Sequence, residues 1–195
     1  MAPRRKTLLP RGLKLLISRD RIAQRMPELA AKVHAALKDC DRPVAVVVLQ
    51  GAFVFAADLL RHLPPRFALE VAFMRCQSYG ARTRSTGRVL LLQDLDPDVN
   101  LSGRTVLLVD DILDTGLTVK FLMEHLRARG AARVIPCVLV RRAKSAARLA
   151  RHVLAGFSVG REFVVGYGLD LNGIYRHLPD LTARARPFRR ARTGR

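Results

Sequence analysis

The stretch TVLLVDDILDTGLT, from Thr105 to Thr118, decides the fold class that we predict for this chain of 195 residues. It opens with a short apolar run of leucine and valine, which is typical of a strand buried on both faces of a parallel sheet. Two adjacent carboxylates, Asp110 and Asp111, follow this run, and a helical pattern then continues to Gly130. The stretch therefore predicts a strand, an acidic turn and a helix.

The acidic turn has the composition of a ligand site. Asp110, Asp111 and Asp114 repel one another and lose hydration if they are buried, so we expect them to bind a polar or cationic ligand. The hydroxylic turn from Thr115 to Thr118 can present backbone N–H groups to a phosphate at a helix N-terminus. The P-loop pattern of ATP-binding proteins occurs nowhere in the sequence. Carboxylates suit sugar hydroxyls, so the combination indicates a phosphorylated sugar.

A second unit of the same kind runs from Pro43 to Leu63. A continuous β-branched strand is followed there by Gln50 and Gly51 and then by an amphipathic helix. Two such units predict an α/β fold, with a doubly wound, mainly parallel twisted sheet flanked by helices. Ligands of such sheets bind outside the carboxyl ends of the strands, which is where Gln50 and Gly51 would lie.

The remaining elements follow from hydrophobic periodicity. A helix begins at the N-cap Ser18, and Pro27 is expected to kink it or to break it into two pieces. A long loop rich in Gly, Ser, Thr and Arg, from Cys76 to Gly87, is interpreted as a lid or as a disordered hairpin tip. We predict further strands over 68–75, 89–92 and 133–140 and a basic helix over 143–154.

The composition is strongly basic, and this bears on the ligands and on the ends of the chain. The formal net charge is +19, which suits polyanionic ligands or nucleic acid, although a solvated Arg-rich surface is the interpretation that we favour for the ends of the chain. We interpret residues 1–15 as a basic tail rather than a signal peptide, 16–182 as one domain, and 183–195 as a disordered basic tail. No apolar segment is long enough to predict a membrane span.

The three cysteines, Cys40, Cys76 and Cys137, are odd in number and far apart in the sequence. They form no C-x-x-C pair, so neither a disulfide framework nor a zinc site is expected. This pattern fits a reducing compartment, and we expect the protein to be cytoplasmic.

The stretch VLLVDDILDTGLT resembles the phosphoribosyl-pyrophosphate (PRPP) motif of the type I phosphoribosyltransferases, and its Asp114 is most similar to the hypoxanthine-guanine branch of that family. The segment EFVVGYGLD, from Glu162 to Asp170, resembles the family's FVVGYALD segment over most of its length. Together the similarity covers about residues 16–181. It implies a small hood built from terminal segments and an assembly into a homodimer or homotetramer.

The resemblance implies roles at the sugar and pyrophosphate end of a site. Asp110, an Asp where the family usually has Glu, and Asp111 would bind the ribose hydroxyls. Asp114 would be the general base facing N7 of the purine. The PRPP phosphate would be held by the loop of Asp114, Thr115, Gly116, Leu117 and Thr118, and the pyrophosphate by Gln50, Gly51 and Arg176. The family has a lysine where this chain has Gln50, so Gln50 is a departure; alternatively, Gly51 merely lets the strand turn.

At the purine end, the resemblance implies that Arg141 replaces a lysine that donates to the exocyclic oxygen of the base; a solvated strand end is the alternative. Phe163 would stack on the base or would be an ordinary core residue, and Val164 would offer its backbone to the edge of the base. Asp170, with Asp110 and Asp111, would bind Mg²⁺. Ser78 and Tyr79 match a pair on the closing loop of the family.

Two functions remain open at this point. The first is an enzyme that transfers ribose 5-phosphate from PRPP to a 6-oxopurine base, hypoxanthine or guanine, with Mg²⁺ as cofactor. The second is a related fold that binds RNA through its basic surface, as pyrimidine-operon regulators do. The charge favours RNA binding, whereas Asp114 and the FVVGYGLD segment favour the enzyme, since a regulator needs no acceptor for a purine proton.

Overall fold

A six-stranded sheet forms the centre of the fold in the computed structural model, which describes residues 9–78, 89–142 and 147–184. Helices cover both faces of this sheet, and a three-stranded sheet forms a hood at one end of it. The elements in chain order are β1 (Leu13–Ile17), α1 (Arg19–Leu37), β2 (Val44–Leu49), α2 (Phe53–Arg61), β3 (Glu70–Ser78), β4 (Val89–Gln93), β5 (Thr105–Leu113), α3 (Leu117–Ala128), β6 (Arg133–Arg142), α4 (Ala147–Ala150), β7 (Leu154–Val159), β8 (Val164–Val165) and β9 (Leu181–Arg184).

The central sheet has the strand order β4-β3-β2-β5-β6-β7. Neighbouring strands from β3 to β7 are parallel, and β4 alone among the described strands of this sheet runs antiparallel to its neighbour. The two units that the sequence predicted, β2 with α2 and β5 with α3, lie side by side, with Val44 beside Val106 and Val47 beside Val109. The predicted doubly wound, mainly parallel fold is confirmed.

Burial on both faces explains the continuous apolar runs of β2 and β5. On one face, Val47 and Leu107 pack with residues of α1 and α2 such as Phe55. On the other face, Val46 and Leu108 pack in a second core with residues of α3. Because neither face meets water, these strands show no alternation of polar and apolar residues.

The hood joins the two ends of the described chain. β9 pairs with β1 on one side and with β8 on the other, both antiparallel. β1 begins at Leu13, and Ala183 and Arg184 belong to β9, so the tails that we predicted at 1–15 and 183–195 each include residues of this sheet. Strand pairing supplies the order here, and the pairing of β1 with β9 could not be predicted locally because these two strands lie more than a hundred residues apart. Residues 1–8 and 185–195 lie outside the described residues.

Asp180 attaches the hood to the body of the protein. Its carboxylate is buried, and it accepts hydrogen bonds from the backbone N of Arg19 at 2.7 Å and from Nη2 of the same residue at 3.0 Å. Tyr167 makes a second connection, because its hydroxyl donates to Asp58 of α2. The hood is therefore tied to the N-terminus of α1 and to α2 by polar contacts as well as by packing.

Two helix predictions can be compared with the structure. Of the two outcomes expected at Pro27, the break is wrong and the kink stays a prediction: helix α1 continues through Pro27, which lies on the exposed side, where the carbonyl left without a partner meets water. The predicted basic helix over 143–154 is reduced, among described residues, to the four residues of α4. The strand β7 that follows was not predicted, and it begins at Leu154 as a parallel edge partner of β6.

Four strands extend past their predicted bounds, namely β3, β4, β5 and β6, and the extensions of β5 and β3 move residues that we expected in a turn or loop into the sheet. β5 extends to Leu113, so Asp110 and Asp111 lie in the strand and not in a turn. β3 extends to Ser78 because it pairs with β4, so that Cys76 to Ser78 belong to a hairpin and not to the predicted loop. No helix among the described residues has the length and apolar character needed to cross a membrane.

Candidate active site

A cleft of about 540 Å³ opens between the carboxyl ends of the central strands and the hood. This is the place at which a doubly wound sheet binds its ligands. The turn after β2, the end of β5, the end of β6 and the segment around β8 all contribute to it. Its lining residues include Gln50, Gly51, Cys76, Asp110, Asp111, Asp114, Arg142, Phe163, Val164, Asp170 and Arg176.

Asp110 and Asp111 form the floor of the cleft. Burial, with repulsion from Asp111, raises the pKa of Asp110 well above its ordinary value. Burial also raises the pKa of Asp111 to about 6; the amide of Ile112 and the charge of Arg176 oppose this shift, and the charge of Asp170 adds to it. Ionising these two buried carboxyl groups therefore costs free energy. A bound cation or a ligand that donates hydrogen bonds to them would reduce this cost.

Gly51 packs closely against the side chain of Asp111, so its small size matters here in addition to any change of chain direction. A methyl group on Gly51 would place its carbon 1.6 Å from Oδ2 of Asp111. The turn that carries Gln50 and Gly51 thus lies directly against the floor of the cleft. Gln50 itself is exposed at the edge of the cleft.

The loop of residues 114–118 ends β5 and begins α3. Gly116 is the N-cap residue and has φ 85°, a left-handed conformation that favours glycine. Gly116 has no side chain to cap the helix, and the hydroxyl of Thr115 accepts a hydrogen bond from the N of Leu117 at 3.4 Å. The first turn of a helix has other N–H groups that can donate to an anion, and the phosphate loop stays a prediction. Asp114 lines the cleft, whereas Thr115, Gly116 and Leu117 line a pocket beside α3.

Arg142, and not Arg141, faces the cleft. The Nε atom of Arg142 lies 3.0 Å from Oδ1 of Asp114, although without the angle of a hydrogen bond, and its Nη1 donates to the carbonyls of Glu162 at 2.9 Å and Gly160 at 3.2 Å. Arg141, which we placed in the purine site, does not line this cleft. Its Nε donates to Ser158 and its Nη1 to the carbonyl of Ala150, because consecutive side chains of a strand point to opposite faces.

The hood supplies an aromatic ring and a carboxylate. Phe163 is 45 % exposed and lines the cleft, so the alternative of an ordinary core residue is excluded, whereas Val164 is buried in β8. Asp170 lies 2.8 Å from Nη2 of Arg176 and accepts a hydrogen bond from the backbone N of Gly173 at 2.6 Å. Arg176 also donates from Nη1 to the carbonyl of Gly168 at 2.7 Å.

The predicted lid is described only at its start. The backbone of Ser78 ends β3, while Tyr79 and the rest of the loop lie outside the described residues. Sequence analysis missed Cys76 as a lining residue, and its position beside Leu91 in the hairpin is what directs it to the cleft. Burial, with the charges of Asp110 and Asp111, raises the pKa of the Cys76 thiol to about 12.

The carboxylates fit a Mg²⁺ ion that is shared with a substrate. Among the described residues no group of three or more side chains could hold a metal ion by itself. Mg²⁺ commonly binds through one or two carboxylates together with substrate phosphates. Asp111 and Asp170 line the same cleft, and the charge of Asp170 contributes to the raised pKa of Asp111. This donor set suits a phosphate-bound divalent cation better than a permanently bound one.

Comparisons with known proteins agree with this geometry. The family model described as the phosphoribosyl transferase domain matches residues 17–172. A hypoxanthine-guanine phosphoribosyltransferase of Bacillus subtilis is 39% identical over 85% of this chain and 89% of its own length. A hypoxanthine-guanine-xanthine phosphoribosyltransferase of Tritrichomonas foetus is 39% identical over 85% of this chain and 88% of its own. The crystal structure of a hypoxanthine-guanine phosphoribosyltransferase from Bacillus anthracis superimposes with a TM-score of 0.74 at 34% identity, covering 87% of this chain and 97% of that one.

The pKa of Asp111 generates a prediction about stability. Because this pKa is about 6 in the folded protein and 3.8 ordinarily, the folded state binds more protons than the unfolded state between these values. Stability is therefore lost as the pH rises from about 4 to 6. Asp111→Asn should raise the free energy of unfolding at pH 7.5 by about 1 to 3 kcal/mol, and the gain should vanish at pH 4.

Denaturant unfolding of the ligand-free protein at the two pH values measures this effect. Asp98→Asn, in the exposed connection before β5, is the matched control. It should change the free energy of unfolding by no more than about 0.5 kcal/mol at either pH. A gain of equal size at pH 4 and pH 7.5 would contradict the proposed cause.

Proposed function

Because this chain belongs to the phosphoribosyltransferase family, and is similar to its hypoxanthine-guanine members over most of its length, we propose that it acts in purine salvage. It transfers the phosphoribosyl group of PRPP to N9 of hypoxanthine or guanine, and the products are IMP or GMP and pyrophosphate. One observation carries this proposal. A single cleft combines the acidic end of β5 with an exposed aromatic ring and a guanidinium. The uncapped N-terminus of α3 begins shortly after Asp114, the last acidic residue of this stretch that lines the cleft.

The reaction breaks the bond between C1′ of the ribose and the pyrophosphate oxygen and forms a bond from C1′ to N9. The transition state is an electron-poor, oxocarbenium-like sugar, so the protein contributes mainly by orientation and by charge. We assign Asp114 to accept the proton that the purine loses at N7. Its carboxylate is 59% exposed in the cleft and lies beside Arg142, which limits its orientation.

The sugar and the pyrophosphate lie along the floor in this proposal. Asp110 and Asp111 accept hydrogen bonds from the ribose hydroxyls, and the loop from Asp114 to Thr118 holds the 5-phosphate. The backbone of Gln50 and Gly51, with Arg176, holds the pyrophosphate. Asp170, with Asp111 and Asp110, would hold Mg²⁺, which supplies neutralisation of the pyrophosphate charge when it is bound.

The purine lies between the hood and the end of β6. Phe163 offers its ring for stacking, and Val164 offers its backbone groups to the edge of the base. We assign to Arg142 the contact with the 6-oxo group, since its guanidinium reaches the carboxylate that faces N7. This replaces Arg141, whose donors are engaged outside the cleft.

The remaining parts of the proposal concern the setting of the enzyme. A homodimer or homotetramer is expected from the family, and the cytoplasm is supported by three cysteines that are free among the described residues. The matched proteins are named as phosphoribosyltransferases, and no finding favours the alternative of an RNA-binding regulator.

A steady-state panel tests the function. The protein should convert hypoxanthine and guanine, each with PRPP and Mg²⁺, to nucleotides and pyrophosphate, with adenine as the matched negative substrate. Xanthine in the same panel measures how far the base specificity extends. If folded protein forms no nucleotide from any 6-oxopurine, the proposal is wrong.

Asp114→Asn should lower turnover by about 10² to 10⁴-fold, because the amide keeps the shape of the side chain and loses the proton acceptor. The KM for PRPP should stay within about threefold, since the substitution keeps every backbone N–H group of the phosphate loop. Single-turnover kinetics measure the chemical step directly. A change of that step below about threefold would remove Asp114 from the role of general base.

Arg142→Gln should lower kcat/KM for hypoxanthine by about 10 to 150-fold, because a charge-assisted hydrogen bond is worth roughly 1.5 to 3 kcal/mol. Arg141→Gln is the matched control, with the same change of charge one residue away, and should stay within about threefold. Kinetics of the two variants at saturating PRPP make the comparison. The opposite order of effects would restore Arg141 to the purine site.

Gln50→Lys should tighten the binding of pyrophosphate and PRPP, because an ammonium near a phosphate adds roughly 1.5 to 3 kcal/mol that an amide does not supply. Inhibition constants for pyrophosphate measure the effect. Gln24→Lys, on the exposed side of α1, controls for the added net charge. Equal constants for the wild type and the Gln50→Lys variant would mean that the turn binds through its backbone amides alone.

A further inference from the structure

The chain that follows β8 turns sharply at Tyr167, behind the hood side of the cleft. Tyr167 has φ 50°, a left-handed conformation that is uncommon for a bulky residue. Such a conformation costs free energy and persists only where the surroundings hold it, and residues of this kind cluster at functional sites. Val164 and Asp170, three residues to either side, line the cleft, whereas Tyr167 itself is 6 % exposed. The position of Tyr167 therefore bears on the wall of the cleft.

Contacts on several sides hold Tyr167 in this conformation. Its N donates to the carbonyl of Leu178 at 2.7 Å, in the connection before β9. Its ring belongs to the core that also contains Phe55 of α2. Its hydroxyl donates to Oδ2 of Asp58, also on α2, and the other oxygen of that carboxylate pairs with Arg61 one turn further along the helix. Burial, with the hydrogen bond to Asp58 and its charge, raises the pKa of Tyr167, so the hydroxyl stays a donor.

Asp58 belongs to the body of the protein that carries the floor of the cleft. It lies on α2, whose Phe55 shares a core with Val47 of β2. β2 in turn pairs with β5, the strand that ends at the floor. The hydrogen bond of Tyr167 therefore joins the hood to the central sheet on the side of α2, while Asp180 joins them at the N-terminus of α1. Anchors at separate places fix the tilt of the hood over the floor better than one anchor could.

We propose that Tyr167 is a positioning residue, which holds Phe163 and Val164 at a fixed height over the floor of the cleft through its hydrogen bond to Asp58. The inference rests on the proposed function, because it concerns how a purine on the hood meets the ribose on the floor. Backbone carbonyls just before Phe163 hold Arg142, so the proposed purine contacts would move together with the hood. A shift of the hood therefore costs the alignment of N9 with C1′ more than it costs the binding of the purine.

Tyr167→Phe tests this role, because it removes the hydroxyl and keeps the ring in the core. The rate constant of the chemical step, measured in single turnovers with saturating PRPP and Mg²⁺, should fall by about 10 to 100-fold, since misplacing reacting groups by about 1 Å can cost up to a hundredfold. The Kd for hypoxanthine from the same titration should stay within about threefold. Partial loss of folded protein would lower the amplitude of the turnover and leave its rate constant unchanged.

Thr182→Val is the matched control, since it also removes one hydroxyl donor from the hood. Thr182 is buried, and its Oγ1 donates to the carbonyl of Val165 at 2.8 Å, between the hood strands β9 and β8. This hydrogen bond lies within the hood, so its loss should leave the rate constant within about threefold of the wild type. A fall as large as that of Tyr167→Phe would show that any loosening of the hood slows the reaction, and it would overturn the proposed role.

Substitutions at Asp58 approach the same hydrogen bond from its other side and keep the proposal testable if Tyr167→Phe does not fold. Asp58→Ala removes the acceptor and should lower the rate constant about as much as Tyr167→Phe does. The double variant should fall no further, because one interaction accounts for both losses. Asp58→Asn keeps an acceptor oxygen for the hydroxyl and should stay within about threefold of the wild type.

Additive losses in the double variant, or an unchanged rate constant in Tyr167→Phe or Asp58→Ala, would overturn the inference. Failure of the proposed function would differ from each of these results, since the wild type would then form no nucleotide.

Discussion

Burial of two adjacent carboxylates at the end of β5 is the constraint on which the rest of the site depends. Asp110 and Asp111 end a strand that is covered on both faces, and burial raises the pKa of each. Among the described cations, Arg176 is the one whose charge opposes the shift of Asp111. Since Arg176 also pairs with Asp170, its single positive charge does not neutralise the carboxylates on the floor of the cleft. The ligand-free protein thus carries a repulsion that its substrates can relieve.

The sheet topology determines what surrounds this floor. β2 and β5 are parallel neighbours, so the turn at Gly51 comes to lie over Asp111. β6 lies on the other side of β5 and brings Arg142 to Asp114. Both contacts, of Gly51 with Asp111 and of Arg142 with Asp114, follow from the strand order. The acidic end of β5 therefore lies at the point where the order of the strands reverses, which is where sheets of this kind bind ligands.

The parts of this arrangement that could be predicted are local in the sequence. The units around β2 and β5 have continuous apolar runs, turn residues and helical periodicity within about 20 residues, which is enough to identify a strand, turn and helix. β1 was missed because it becomes a strand through a partner at the other end of the chain, and β9 was missed because it is short and pairs with β1 and with the two-residue strand β8. The position of Arg141 outside the cleft has a different reason. A shift of one residue along a strand reverses the face of a side chain, and two successive arginines make such a shift invisible in the sequence.

Arginine suits the cleft because its planar fork can satisfy several partners at once. Nη1 of Arg142 donates to the carbonyls of Gly160 and Glu162, and this leaves Nε to face Asp114. Arg176 likewise holds the carbonyl of Gly168 with Nη1 and Asp170 with Nη2. A lysine ammonium has a single nitrogen on a flexible stem, so it could not be held by the backbone and face a carboxylate in a comparably fixed geometry. Both cations are thus fixed before any ligand arrives, and preorganised charge of this kind requires little rearrangement when negative charge develops on a bound ligand.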